Sequence, residues 1–391
     1  MSQTNPPPRP GPSPEHSGWL AAMDDFRATA AARLAAAKAL SASLPGQPFA
    51  PDLEAACEID LHCHSFHSDG YCSPTIRVFE AFRRGMKGLA IADHDVFDGQ
   101  REAIGAGLIF GVEVMPAAEF YTNRPGVEII AHFPDVPAFL AQLDHGTFNP
   151  VVEPIRTARE QQLTAMVDRV PACFARFGFT ANITATDIDR HVRNGISAKG
   201  DISVILWQKY GPDLAAAGLA DNVKDVQAKY TTRDDMLNVP LHLDLDLSPA
   251  TFVQRIRSWG GLPGLPHPTE LRRKEGLDNA ALESVIANLA EVGLQTLEVD
   301  GWRNATCPET GLPQTEVFDA MRRAWNTAHP GALPLLFTNG SDDHNQPGEG
   351  LELGCGRNRN LRPEFGRWNN LACLRERQAL LAAGAAKAPL T

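Results

Sequence analysis

The segment EIDLHCHSFHSDG, residues 58–70, places His62, His64, His67 and Asp69 within eight positions. In an extended strand alternate side chains share a face, so His62 and His64 point one way and Cys63 the other. Two imidazoles on one face can share a cation. Ile59 and Leu61 lead a strand into the pair, and Ser68-Asp69-Gly70 turns the chain away, which holds the ligands at the strand's carboxyl end, where α/β proteins keep their chemistry. A His-x-His pair also arises by chance, so the rest of the chain must supply further ligands.

From residue 57 onward, short apolar runs alternate with helical segments, the pattern of repeated βα units and a parallel sheet. Strands are expected at 57–62, 88–93, 109–114, 127–133, 261–266, 294–299 and 333–338. Helices are expected at 74–86, capped by Ser73 with Pro74 in the first turn, then at 99–108, 249–259, 279–292, 314–328 and within 370–383. The alternation breaks between 134 and 249, where helical pieces (155–177, 201–210, 221–230) and polar turns read as an inserted cap. The barrel part is therefore expected at 57–133 and 250–391, with the cap or substrate domain at 134–249. Residues 1–17 carry six prolines and almost no large apolar side chains, which describes a disordered tail. Residues 18–56 form a helical extension, with Trp19, Met23, Phe26, Ala30, Leu34 and Ala37 on the apolar face of one helix over 18–44. That helix covers the barrel or binds a partner.

The 391 residues carry a net charge of −11, which argues against a nucleic-acid polymer or an anionic membrane as partner, because phosphate-backbone affinity needs clustered Lys and Arg. The seven cysteines are scattered without a CxxC pair, which fits reduced thiols in the cytoplasm. No apolar run approaches the length of a membrane span, and no basic-then-apolar leader opens the chain. Oligomeric state is not encoded in any of these features.

His62, His64, Asp69, His94, Glu119, His132, His267, Asp342 and His344 each fall at or just past an expected strand end. In a barrel of parallel strands those ends meet on one face, so the nine side chains converge. Six imidazoles and three carboxylates exceed the needs of one four-coordinate ion, so two or three ions are expected. With no thiolate among them, Mn²⁺, Zn²⁺ and Fe²⁺ all suit the set.

The ordered set resembles the PHP (polymerase and histidinol phosphatase) family of metal-dependent phosphoesterases over about 57–345. The first motif, HxH followed by Asp, stands as His62, His64 and Asp69, and the second, usually TDHD, as Ala92-Asp93-His94-Asp95. Glu119 and His132 match the next two positions, His267-Pro268 the His-Pro motif with Pro266 in place of the usual Ala, and 340–344 the closing GSDxH. The resemblance implies a distorted seven-stranded (βα) TIM-like barrel of the PHP type with an inserted, mainly helical cap. It also implies one ion on His62, His64, Glu119 and Asp342, a second on Glu119, His132 and His267, and a third on Asp69, His94 and His344.

Clustered divalent ions activate water near neutral pH and neutralise phosphoryl oxygens, so hydrolysis of a small phosphomonoester, such as a nucleotide or sugar phosphate, is the expected reaction. Asp95 and His67 are candidates for protonating the leaving group, or for orienting ligand imidazoles. For substrate binding, 199–203 resembles an Arg-Pro-His-Ile-Ala helix start, with Lys199 in the Arg position and Asp201, an anion, in the His position. Arg303 is a phosphate clamp or a surface residue, and Arg272 is a phosphate contact or part of a solvated cluster with Arg273 and Lys274. His145, His191, His242 and His329 lie outside the motifs and read as structural or surface residues. Two other readings remain: a metal-dependent hydrolase of C–N or C–O bonds, and a non-catalytic metal-binding module.

Overall fold

The computed structural model describes residues 14–44, 57–191, 199–241, 243–300, 306–345, 353–354 and 367–384. Eight strands are formed among them: β1 (Ile59–Cys63), β2 (Gly88–Ile91), β3 (Glu113–Val114), β4 (Ala117–Tyr121), β5 (Glu128–His132), β6 (Leu262–Leu265), β7 (Thr296–Asp300) and β8 (Leu336–Gly340). They divide into a parallel sheet ordered β1-β2-β3 and a mixed sheet ordered β4-β5-β6-β7-β8.

The expected α/β fold is present, but closure into a seven-stranded barrel is not seen among these strands. The described strands form two sheets rather than one closed ladder, joined by the isolated bridges Cys63↔Asp343 and His94↔Glu119. The reversal at β4–β5 has a simple cause. Only residues 122–127 separate these strands, too few for the crossover that parallel pairing requires, roughly a dozen or more residues. The chain instead turns tightly, with Thr122 Oγ1 donating to the Val127 carbonyl (2.6 Å) and Gly126 at φ 73°. β5 therefore runs antiparallel to both β4 and β6.

The edges of the two sheets meet where β1 and β8 approach. Asp342 N donates to His62 O (2.8 Å), and His64 N to Asp343 O (3.0 Å). A Cβ on Gly340 would stand 2.1 Å from His62 Cβ, so only glycine permits this approach.

Helices cover the sheets as βα connections. Pro74–Arg83 is capped by Ser73, whose hydroxyl accepts from Ile76 N, as expected. Gln100–Phe110 runs two residues into the strand expected at 109–114 and ends at Gly111 in the left-handed conformation, which leaves β3 only two residues long. The expected single N-terminal helix is two, Pro14–Asp24 and Ala30–Ser43, because Ala28 N turns back to Asp25 O and Thr29 caps a new start at Ala32 N. The first of them begins inside the span expected to be a disordered tail; residues 1–13 lie outside the described set.

The apolar interior is divided. The largest core packs the 133–155 region, Pro249–Ser258 and the later helices around the mixed sheet. A separate core, from Met166 to Leu237, lies wholly inside the 134–249 insertion. The Asn149–Ala175 helix crosses between them, with Val151, Val152 and Ile155 in the first and Met166, Val170 and Phe174 in the second. The insertion is helical, ending in Val223–Val226 and a π-helical turn at Gln227–Thr231. No helix among the described residues is long and apolar enough to cross a membrane.

Candidate metal centre

The loop after β1 is held in place before any ligand is considered. Asp93, past the end of β2, accepts from Ser65 N (2.7 Å), Ser65 Oγ (2.6 Å) and Ser68 Oγ (2.8 Å). A Cβ on Gly70 would lie 2.6 Å from the His64 carbonyl carbon, so the loop can fold back on itself only with glycine there. Arg77, fully buried, donates from Nε to His64 O (2.6 Å) and from its terminal nitrogens to Asp343 Oδ2 and O (both 2.7 Å). One guanidinium thus ties the ends of β1 and β8 together, and its charge, working against burial, holds the Asp343 carboxyl below its ordinary value.

On this frame three groups of ligand atoms form, each with its members within 4.8 Å of one another. The first is His62, His64, Glu119 and Asp342. His62 Nε2 lies 3.2 Å from His64 Nε2 and 3.1 Å from Glu119 Oε2, and His64 Nε2 lies 3.2 Å from Asp342 Oδ1. The second is His64, Asp69, His94 and His344, with His344 Nε2 at 3.2 Å and His94 Nε2 at 3.7 Å from the two Asp69 oxygens. The third is Glu119, Glu128 and His267, where His267 Nε2 is 2.7 Å from Glu119 Oε1 and 2.9 Å from Glu128 Oε2. Glu119 therefore spans two groups with its two oxygens. A neutral imidazole has only one lone-pair nitrogen, so His64 can serve only one of its two groups at a time.

The electrostatics match this crowding. Burial raises the Glu119 carboxyl, but His62, His94 and His267 outweigh it and hold it well below the ordinary carboxylate range. Burial likewise lowers His62, yet Glu119 and Glu298 hold it well above the ordinary imidazole value. His344, desolvated but facing Asp69 and Asp342, is pushed up to about 10. Two imidazole nitrogens of these residues are buried without a hydrogen bond among the described residues, His94 Nδ1, which lies 3.3 Å from Glu119 Oε2, and His267 Nδ1. Backbone strain gathers here as well, with Asp95 (φ 58°), His267 (φ 25°) and Asp342 (φ 53°) all in the left-handed region. The chemistry of this buried N/O donor set fits divalent ions, which His62, His64, Glu119 and Asp342, or His64, Asp69, His94 and His344, could hold.

The other expected site residues are placed as follows. His132 joins none of the groups. It is fully buried, with Nε2 against the Leu61 carbonyl (2.8 Å) and Nδ1 without a partner among the described residues. Asp95 Oδ2 accepts from Arg159 Nε (3.1 Å) and Arg159 NH2 (2.6 Å), and its Oδ1 accepts from Tyr121 N (3.1 Å). His67 is buried against the Phe66 ring, its amide donating to Ser65 Oγ. Arg272 is engaged with Glu309 and Asn279. Lys199 opens the Lys199–Ala216 helix, and Arg303 lies outside the described residues.

Glu128, Glu298 and Arg159 escape a reading by motif. Glu298 on β7 is buried, with Oε2 at 2.8 Å from His62 Nδ1 and Oε1 accepting from His267 N (3.1 Å). Arg159 comes from the insertion's long helix, and its guanidinium lies 4.7 Å from the centre of the Tyr121 ring, which itself stacks on His94 at 4.2 Å. Glu128 opens β5 as its single Glu, which sequence alone does not distinguish from a solvent-facing residue. Nothing in the sequence marks Arg159.

No family model matches the chain. A stretch of 67 residues is 45% identical to a 5′-3′ exoribonuclease of Haemophilus influenzae, covering 17% of this chain and 24% of that protein. The match thus spans about a quarter of that relative's length. Among solved structures, "a putative metal-dependent phosphoesterase" from Bifidobacterium adolescentis is similar with a TM-score of 0.60 and 23% identity, over 82% of this chain and 96% of that one. An amidohydrolase from Chromobacterium violaceum, solved with bound sulfate and no metal, is similar with a TM-score of 0.55 and 22% identity, over 81% and 96%. At these identities the likeness is one of fold.

Proposed function

We propose that this chain is a metal-dependent phosphoesterase of the PHP type that hydrolyses small phosphate esters, phosphomonoesters foremost, in the cytoplasm. The observation that carries the reading is the convergence of His62, His64, Asp69, His94, Glu119, His267, Asp342 and His344, from five separate stretches of chain, into overlapping groups of ligand atoms. Divalent ions held there would supply an activated water and neutralise the charge that develops on the phosphoryl oxygens.

The chain's own groups have definable tasks. Glu298 accepts the Nδ1 proton of His62, which fixes the ring and turns the Nε2 lone pair toward the cluster. The loop geometry imposed by Arg77 and Asp93 keeps His64 and Asp69 facing the same volume. Arg159 neutralises Asp95 and carries the insertion to the rim of the site, where a substrate's non-phosphate part is expected to lie. With both Asp95 oxygens engaged, that residue is better suited to positioning Tyr121 and His94 than to giving up a proton.

The name of the Chromobacterium violaceum neighbour favours the second reading, hydrolysis of C–N or C–O bonds, and the exoribonuclease match brings phosphodiesters into consideration. One panel separates these. Product release from phosphomonoesters, dinucleotide diesters, amides and lactones is measured with added Mn²⁺ or Zn²⁺. Phosphate release from monoesters is expected, and Asp342→Asn and His62→Ala are expected to lower it by at least about 100-fold, the scale of losing one electrostatic stabiliser. Unchanged rates in both variants, or no turnover of any phosphate ester, contradict the proposal.

A further inference from the structure

The hairpin of β4 and β5 decides which residue completes the third group. Because β5 runs antiparallel, its carboxyl end points away from the face on which the other ligands gather, and its amino end points toward it. Ala117 pairs with His132 at one end of the hairpin and Tyr121 with Glu128 at the other, with Glu119 opposite Ile130 between them. β6 pairs Leu262 with His132 and Gly264 with Ile130. Continuing that register carries the chain toward the level of residues 127–128 by the time it reaches His267. His267 and Glu128 thus arrive at the same height, while His132 sits near the start of β6.

The side chains bear this out. Glu128 Oε2 lies 2.9 Å and Glu119 Oε1 2.7 Å from His267 Nε2, with all three residues buried. One imidazole N–H cannot serve two carboxylates equally, and His267 Nδ1 is buried without a partner among the described residues. His132 Nε2 faces a carbonyl, which can only accept, so that nitrogen carries the proton and the lone pair falls on Nδ1, while the residue belongs to none of the three groups of ligand atoms.

We infer that the ion shared by Glu119 and His267 takes Glu128, not His132, as its third protein ligand. This rests on the polynuclear metal site proposed above and departs from the set implied by the resemblance. Two carboxylates and one imidazole make a harder, more anionic site than one carboxylate and two imidazoles, so this position is suited to Mn²⁺ over Zn²⁺. His132 instead acts as a buried tie between β5 and the Leu61 carbonyl of β1.

The test counts ions instead of turnover. The full chain is stripped with chelator, checked for folding by circular dichroism, and titrated with Mn²⁺, with bound metal read by elemental analysis and affinity by calorimetry. Wild type and His132→Gln are expected to take up the same number of ions. Glu128→Gln is expected to lose one, or to bind it more weakly by at least the roughly 10–100-fold that losing an outer ligand partner costs. Glu128→Asp, which keeps the charge but withdraws the oxygen, is expected to fall between Glu128→Gln and wild type. Full uptake with unchanged affinity in Glu128→Gln, or loss of an ion in His132→Gln alone, overturns the inference. Fewer than two ions in wild type overturns the polynuclear reading itself, and the two failures are thereby distinct.

Discussion

Glu298 Oε2 stands 2.8 Å from Nδ1 of His62, and the same side chain accepts the amide of His267. A carboxylate in that position fixes two ligands at once, one through its ring and one through its backbone. Glu298→Gln keeps the size and removes the charge. Its expected effect is a loss of metal affinity of roughly 10–100-fold, with little change in the protein's far-ultraviolet spectrum, and titration with Mn²⁺ checks it. Affinity equal to wild type would mean that the ring is oriented by packing alone. At this scale the sequence was informative where candidate ligands fall in a recognisable motif. His62, His64, Glu119, His267 and Asp342 could be named from spacing and motif, and the fold brings them together. Glu128 and Glu298 could not, because a single Glu in an apolar strand is indistinguishable from one facing solvent until the strand's direction is known.

At the scale of elements, the same ambiguity explains the barrel expectation. Alternating apolar runs look alike in parallel and antiparallel strands, and the turn residues Asn123-Arg124-Pro125-Gly126 were the signal that β4 and β5 form a hairpin. The N-terminal helices show a second element whose role becomes visible only in packing. Arg33, 2% exposed, places its guanidinium on Glu102 at 2.9 and 2.5 Å and lies 4.9 Å from the Phe66 ring centre. Ser73 N donates to Asp24 Oδ1 and Ser73 Oγ to Met23 O, so the two helices brace both ends of the loop that carries Asp69. Apolar spacing predicts a helix here but does not reveal that its partner is the metal loop. Arg33→Met leaves Glu102 buried, with only Thr75 still donating to it among the described residues. The expected cost is about 3 kcal/mol in urea unfolding, since removing one partner strands a buried charge, and a change below about 1 kcal/mol would show the pair to be dispensable.

Across the whole molecule, the chain is a sheet core with a separately packed helical insertion, joined by one long helix that runs from Val151 in the first core to Phe174 in the second. An insertion was expected where helical segments interrupt the βα alternation. Its contact with the site through Arg159 was not, since an Arg within an amphipathic helix is ordinarily a surface residue. Carboxylates that would repel one another in an apolar interior are matched at this site by imidazoles and, when loaded, by cations. That balance makes ion number the most direct test of the account. Wild-type chain, stripped, reconstituted with Mn²⁺ and freed of excess metal, is expected to retain between two and three ions per chain by elemental analysis. Retention of fewer than two would contradict it.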